Sequence, residues 1–306
     1  MKPAYAISPA AEYVRAKLAW MRAGKIWPNG RRYLWTDAFG VILLTSLYAE
    51  LGQPQYLDEA EWLVAEVDRV LGRTRGIRIG EAADRGGQYF HYLAMWLCAL
   101  AVLGRFRPDY RLQGIALARD IHDAFVIPGR GVWWKMREDL SGPWPDHGFG
   151  ALDAFDGYVS YRLLDEVALA PQIAAMSDLM NRSAPALTIT QDLGIGMMLW
   201  MTHFHPEEAW AIVQRRRCLA MLDQMWNDAG YFCRDPQQRQ VKFAFTNYGV
   251  AIGLQAVNAM PERVRRLNDF FEEYRSGDEY DREAITHVMA CSAHLPGYLL
   301  RGYATA

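Results

Sequence analysis

The sequence predicts an all-α chain folded as an (α/α)6 toroid, in which six inner helices form a ring inside six outer ones. Two observations carry this reading. Helical windows of about 12–20 residues recur from end to end, separated by Gly, Pro, Asn and Asp, with few strand signals between them. The windows also alternate between charged and almost uncharged. A helix apolar all round is buried, and one with a charged face lies at the surface. Alternation over six hairpins closes most simply as two concentric rings. A solenoid also pairs its helices, but it carries a consensus repeat of fixed period, and none is legible here.

Taken in order, the windows fall at 9–23, 35–51, 55–71, 87–104, 108–125, 149–165, 171–183, 190–203, 206–225, 243–258, 261–275 and 282–299. Odd windows are expected outside and even ones inside, as one domain over residues 1–306. Window 55–71 sets Leu63, Val67, Val70 and Leu71 on one face, with Asp58, Glu59, Glu61, Glu66, Asp68 and Arg69 elsewhere. Windows 206–225 and 261–275 carry Arg215, Arg216, Arg217, Arg263, Arg265 and Arg266. By contrast, 87–104 and 243–258 contain no Asp, Glu, Lys or Arg, 190–203 has only Asp192, and 282–299 has little beyond Glu283. Small residues in the inner windows (Gly40, Ala151, Gly194, Gly196, Gly249, Gly253, Ala293) let helices converge closely.

Two segments interrupt the pattern. IPGRGVWWKMREDLSGPWPDHG, at 127–148, is too rich in Gly and Pro for helix, and GVWWKM suits a short strand. Residues 230–245 resemble a hairpin turning at Asp235-Pro236. Long structured loops in compact domains are functional or capping elements.

Composition narrows the function. The 306 residues are 51% hydrophobic and 13% aromatic, with 35 acidic against 33 basic side chains. Such a chain is neither disordered nor collagen-like, and its net charge of −2 leaves no footprint for nucleic acid. No apolar run of the ~18–20 residues of a membrane span stands out, and the N-terminus lacks a secretory h-region. Cys98, Cys218, Cys233 and Cys291 show no paired spacing, so no disulfide framework or zinc site is expected. These features predict a soluble cytoplasmic protein with reduced thiols, no membrane partner, no metal and no cofactor.

Antiparallel alternation puts all six inner N-termini at one end of the ring, and the polar residues of the inner windows gather there. They include Trp35 and Asp37; Tyr89 and His91; His147, Asp153 and Asp156; Gln191 and Asp192; Asn247 and Tyr248; and His287. Trp133 and Trp134, with Trp144, Tyr231 and Phe232, rise from the same rim. A polar, aromatic-rimmed pocket over an apolar floor is the expected site. Capping competes with this reading, because Thr, Asp and Asn satisfy free N–H groups at helix starts; Thr36 and Thr190 suit that role. Asp156 is expected a turn or more inside its helix, beyond the reach of capping. Asp153 and Asp156 share a face one turn apart. They suit either a carboxyl pair with split pKa values or ion pairs with Arg162 or Lys135. His203 and His205 sit at the far end and are expected to be structural.

The runs RRYLWTDAFGVILLTSLYAELG, GIRIGEAADRGGQYFHYLAMW and GVWWKMREDLSGPWPDHGFGALDAFDGYVSYRLL resemble a family of bacterial and archaeal proteins in the six-hairpin glycosidase-like superfamily, over roughly residues 30–165. WTDAFG and DRGGQYFHY carry most of the likeness. This chain is shorter between Arg73 and Gly76 and in its C-terminal third. The resemblance implies the toroid, in a superfamily that hosts glycoside hydrolases, polysaccharide lyases, sugar epimerases and a terpenoid dehydratase-isomerase.

The leading expectation is a carbohydrate-active enzyme acting on a small saccharide, as a glycoside hydrolase. That chemistry needs one protonated and one ionised carboxyl across a cleft, with Asp37, Asp153, Asp156 and Asp192 as candidates. Trp35, Trp133 and Trp134 would stack on sugar faces, and Tyr89, His147, Asn247, Tyr248 and His287 would contact substrate. The alternatives are a sugar epimerase or isomerase with histidine acid and base (His91, His147 or His287), a terpenoid lyase or isomerase, and a non-catalytic binding protein.

Overall fold

The computed structural model describes residues 7–228 and 244–301, and its architecture is the predicted toroid. Among the described residues the outer helices are α1 (Pro9–Ala23), α3 (Pro54–Leu71), α5 (Pro108–Phe125), α7 (Ala170–Ser183), α9 (Ala209–Asp228) and α11 (Pro261–Glu273). The inner helices are α2 (Leu34–Leu51), α4 (Phe90–Leu103), α6 (Asp153–Asp165), α8 (Asp192–Thr202), α10 (Ala244–Ala256) and α12 (Ala284–His294). Each inner helix packs on the next, and α12 returns to α2, closing the ring. Outer helices α3 to α11 each pack on the inner helix that precedes them, while α1 packs on α12.

Local sequence explains the starts. Five outer helices carry a proline in their first two positions, where a missing N–H costs nothing. The inner helices are held by burial. Leu34 through Leu47 of α2 are all buried. By length and composition α2 could cross a membrane, which differs from the sequence reading. Yet 78% of its residues are buried inside the protein, where apolarity on every side serves the core.

Helix contacts around the ring are uneven. Cβ atoms at Gly196 and Gly253 would overlap the backbone carbonyls of Gly249 and Gly196, so α8 and α10 touch backbone to backbone. Between α6 and α8 the contact is the sparsest in the ring.

The 127–148 insertion forms short strands. β1 (Gln88–Tyr89) pairs antiparallel with β4 (Lys135–Met136), and β2 (Val126–Ile127) with β3 (Gly131–Val132). The first pairing ties the insertion to the start of α4 and brings Trp134 over the inner rim. Residues 230–243 of the second predicted insertion, with Tyr231 and Phe232, lie outside the described residues.

Three local expectations are corrected. Tyr33 and Gln191, not Thr36 and Thr190, occupy the N-cap positions of α2 and α8. Asp156 stands in the first turn of α6, because the helix begins at Asp153 and not at 149. Neither aspartate pairs with a cation: Arg162 is held by Glu166 and Glu208, and Lys135 lies over the Tyr89 and Trp144 rings.

Candidate active site

A cavity of about 400 Å3 opens at the inner N-terminal end, where α6 and α8 part. Its lining gathers five of the sequence candidates: Trp35 from α2, His91 from α4, Asp153 and Asp156 from α6, and Trp134 from the insertion. Phe149, Leu193 and Met197 add apolar surface, and Gln191 a carboxamide.

His91 and Asp153 face each other across the α4–α6 seam, with Nδ1 and Oδ1 3.9 Å apart. The Asp153 side chain is 4% exposed and that of His91 27%. Asp153 Oδ1 and Trp35 Nε1 are buried without a hydrogen-bond partner. Both residues line the cavity, where a bound molecule can reach these atoms. Gly150 makes room for the carboxyl, since a Cβ there would overlap Asp153 Oδ2.

Burial dominates the electrostatics. It raises the pKa of Asp153 well above the carboxylate range, and the neighbouring Asp156 charge raises it further. Burial raises Asp156 as well. Two carboxyls one turn apart, without a cation, disfavour double ionisation, so the pair retains a proton near neutral pH. Burial lowers the pKa of His91, which keeps the imidazole neutral. Near neutral pH the cavity therefore sets an uncharged imidazole beside a carboxyl pair that favours keeping one proton.

A second group supports the wall. The Tyr89 ring lies 4.9 Å from Trp134 and 5.3 Å from His91. His147 stacks on Trp134 at 5.1 Å, and Trp133 packs on Phe149 at 4.4 Å. These three candidates border the cavity without lining it.

The remaining candidates lie elsewhere. Asp37 is fully buried, accepts from Trp27 Nε1 at 2.9 Å and from the Tyr33 N–H at 3.2 Å, and pairs with Arg32 at 3.1 Å. Burial raises its pKa to about 6 against the pull of Arg32. Its role is to hold the start of α2, as capping logic allows. Asp192 Oδ2 accepts from Thr246 Oγ1 at 2.7 Å, and its Oδ1 accepts from the Leu193 N–H at 2.8 Å, joining α8 to α10. Asn247 is buried and donates to Thr246. Tyr248 and His287 line a different cavity, of about 600 Å3, with Tyr13, Trp20 and Glu272. His203, at the opposite end, accepts from the Arg301 N–H at 2.8 Å. Gln191 is one of the polar residues expected at the inner N-terminal rim, and Leu193 and Met197 are additions to the site. The two apolar residues had no signal in the sequence.

Among the described residues, no group of three or more His, Cys, Asp and Glu is placed to hold a metal ion. Cys98, Cys218 and Cys291 are buried free thiols.

Fold and cavity together give an (α/α)6 toroid with a histidine and two aspartates gathered at the inner N-terminal rim. No protein-family model matches the chain, and no curated protein is significantly similar to it in sequence. Solved structures with a similar fold include cellobiose 2-epimerase from Spirochaeta thermophila DSM 6192, with a TM-score of 0.57 and 12% identity over 95% of this chain and 98% of that one. A sugar epimerase from a ruminal bacterium is also similar, with a TM-score of 0.54 and 12% identity over 84% of this chain and 74% of that one. At such identity the likeness establishes the fold.

Proposed function

We propose that this protein is a carbohydrate-active enzyme of the epimerase or isomerase kind, moving a proton beside the carbonyl of a reducing saccharide. The observation that carries the reading is the cluster of His91, Asp153 and Asp156 in a cavity whose other walls are mostly apolar. Removing a proton α to a carbonyl needs a base and an acid that are both in working form near neutrality. A neutral imidazole, though made a weaker base by its burial, and a carboxyl pair retaining one proton are in the forms required. In this reading His91 takes the C2 proton of the open-chain aldose, and the carboxyl pair protonates the C1 oxygen, giving an enediol. Trp35 and Trp134 offer aromatic faces to the sugar.

The similar solved structures include a cellobiose 2-epimerase and a sugar epimerase, which favours this reading over a glycoside hydrolase. Hydrolysis also wants carboxyls on opposite sides of the scissile bond, whereas Asp153 and Asp156 share one helix turn and Asp37 and Asp192 are engaged outside the cavity.

The test is proton NMR of reducing mono- and disaccharides incubated with the protein in D2O. The C2 proton signal of a substrate is expected to disappear. Exchange is expected to slow by about 10²–10⁴-fold in His91→Asn and in Asp156→Asn. Release of sugar from glycosides without any C2 exchange would contradict the proposal.

A further inference from the structure

A smaller cavity, of about 270 Å3, opens on the same rim where α12 meets α2. Among the described residues its lining holds five cationic side chains, Lys25, Arg31, Arg32, Arg85 and Arg282, against one carboxylate, Glu283. Arg32 is engaged by Asp37 at 3.1 Å. The Arg282 guanidinium donates to the Gly24 carbonyl at 2.9 Å, and that of Arg85 lies 4.1 Å from the centre of the Tyr33 ring.

Two further features point to a bound anion. The first is the start of α12, which has no side-chain cap and places Ala284 and Ile285 in the lining. The first N–H groups of a helix have no partner within it, and the helix dipole favours negative charge there. The second is Thr36, which is 2% exposed, lines the cavity and has no hydrogen-bond partner for its Oγ1. The other Ser and Thr hydroxyls of α2 donate to the carbonyl four residues back, Thr45 to Val41 at 2.8 Å and Ser46 to Ile42 at 2.7 Å. The corresponding carbonyl for Thr36, that of Arg32, instead accepts from the Glu81 N–H at 3.0 Å. Buried hydroxyls are generally hydrogen-bonded, and this one leaves a donor for a ligand.

We infer that this cavity binds a phosphate group, as the free ion or as the end of a small phosphate ester. The donors come from separate elements: backbone N–H groups of α12, a hydroxyl of α2, and the guanidinium groups of Arg85 and Arg282 in the segments before α4 and α12. A phosphate has oxygens enough to meet all of them, and guanidinium forks match its geometry. A carboxylate, with two oxygens and one charge, would use fewer. The cavity is a neighbour of the sugar cavity. Trp35 lines one and Thr36 the other, and the Tyr33 hydroxyl is hydrogen-bonded to that of Tyr92, whose ring lies 4.6 Å from that of His91. None of His91, Asp153 and Asp156 lines the smaller cavity, so the site stands whatever reaction they carry out.

The experiment is calorimetric titration of the full chain with inorganic phosphate, with glucose 6-phosphate and with glucose, in chloride buffer of fixed ionic strength. Saturable binding of phosphate or of its ester is expected. Thr36→Val keeps the shape of the side chain and should weaken that binding about 3–10-fold, the effect of one neutral hydrogen bond. Its melting temperature should be unchanged or higher, since no partner loses the hydroxyl. Arg282→Gln removes a charged donor and should weaken binding about 10–100-fold. Equal affinity for phosphate and the ester assigns the site to the free ion, and tighter binding of the ester than of phosphate or glucose assigns it to a phosphate ester. No binding of either phosphate probe, or binding that is the same in the parent and both variants, would overturn the inference.

Discussion

The two sides of α8 are built in opposite ways. Toward α10, Gly196 meets Gly249 and Gly253, and the helices approach until backbone touches backbone. Toward α6, the ring loosens and a cavity opens among side chains. Gly194 belongs to this side, and its nearest neighbours are the flexible ends of Ile189 and Leu152, at 3.0 and 3.6 Å from where a Cβ would stand. A glycine facing glycines seals the ring, and a glycine facing side chains leaves space. One helix thus closes the core on one flank and shapes a site on the other.

The same contrast separates the acidic residues. Asp37, fully buried in the first turn of α2, has an arginine and two N–H donors. Asp153 and Asp156, at the opening, have no cation. Asp37→Ala leaves Arg32 buried and unpaired, and thermal or urea unfolding should show a loss of about 3–5 kcal/mol. An unchanged stability would remove Asp37 from the frame of the ring and blur the distinction.

The glycines give the next largest effect. Gly196→Ala forces a methyl into the α10 backbone and should cost about 1–3 kcal/mol. Gly194→Ala needs only side-chain adjustment and should cost under ~1 kcal/mol. Melting both variants side by side tests whether the two flanks differ as described. Equal losses would mean that α6–α8 is as tightly sealed as α8–α10.

Asp156→Asn should move stability the other way. The folded pair binds protons more tightly than an unfolded chain, whose carboxyls titrate at their ordinary value. Between that value and the raised one, the native state holds more protons than the unfolded state, so stability falls as pH rises through the window. The amide removes the cost of charging the pair. Each tenfold in proton affinity is worth about 1.4 kcal/mol, so the variant should gain roughly 1–3 kcal/mol at pH 8. The gain should shrink toward pH 4. A variant less stable than the parent at pH 8 would mean that Asp156 is held by a cation in solution.

Charge alternation made the ring legible in the sequence, because an uncharged helix such as 87–104 has nowhere to lie but inside. Convergence of the inner N-termini places Trp35, His91, Trp134, Asp153 and Asp156 at one rim from the sequence pattern alone. The pairing that holds Asp37 away from the cavity was not legible, because its partner, Arg32, lies outside the inner window, in the turn before the helix. The distinction between Gly194 and Gly196 was not legible either: periodicity assigns a buried face to each helix but does not set the spacing between neighbours. The opening between α6 and α8, which decides which rim residues form a site, is a property of that spacing.

The central claim is that this opening holds a neutral imidazole beside a carboxyl pair that keeps a proton at neutral pH. Carbon-13 NMR of the protein labelled at aspartate carboxyl carbons, titrated from pH 4 to 9 and assigned with Asp153→Asn and Asp156→Asn, measures it directly. One carboxyl of the pair should remain protonated at pH 7, while the exposed aspartates have all ionised. Full ionisation of both carboxyls by pH 5 would contradict the account.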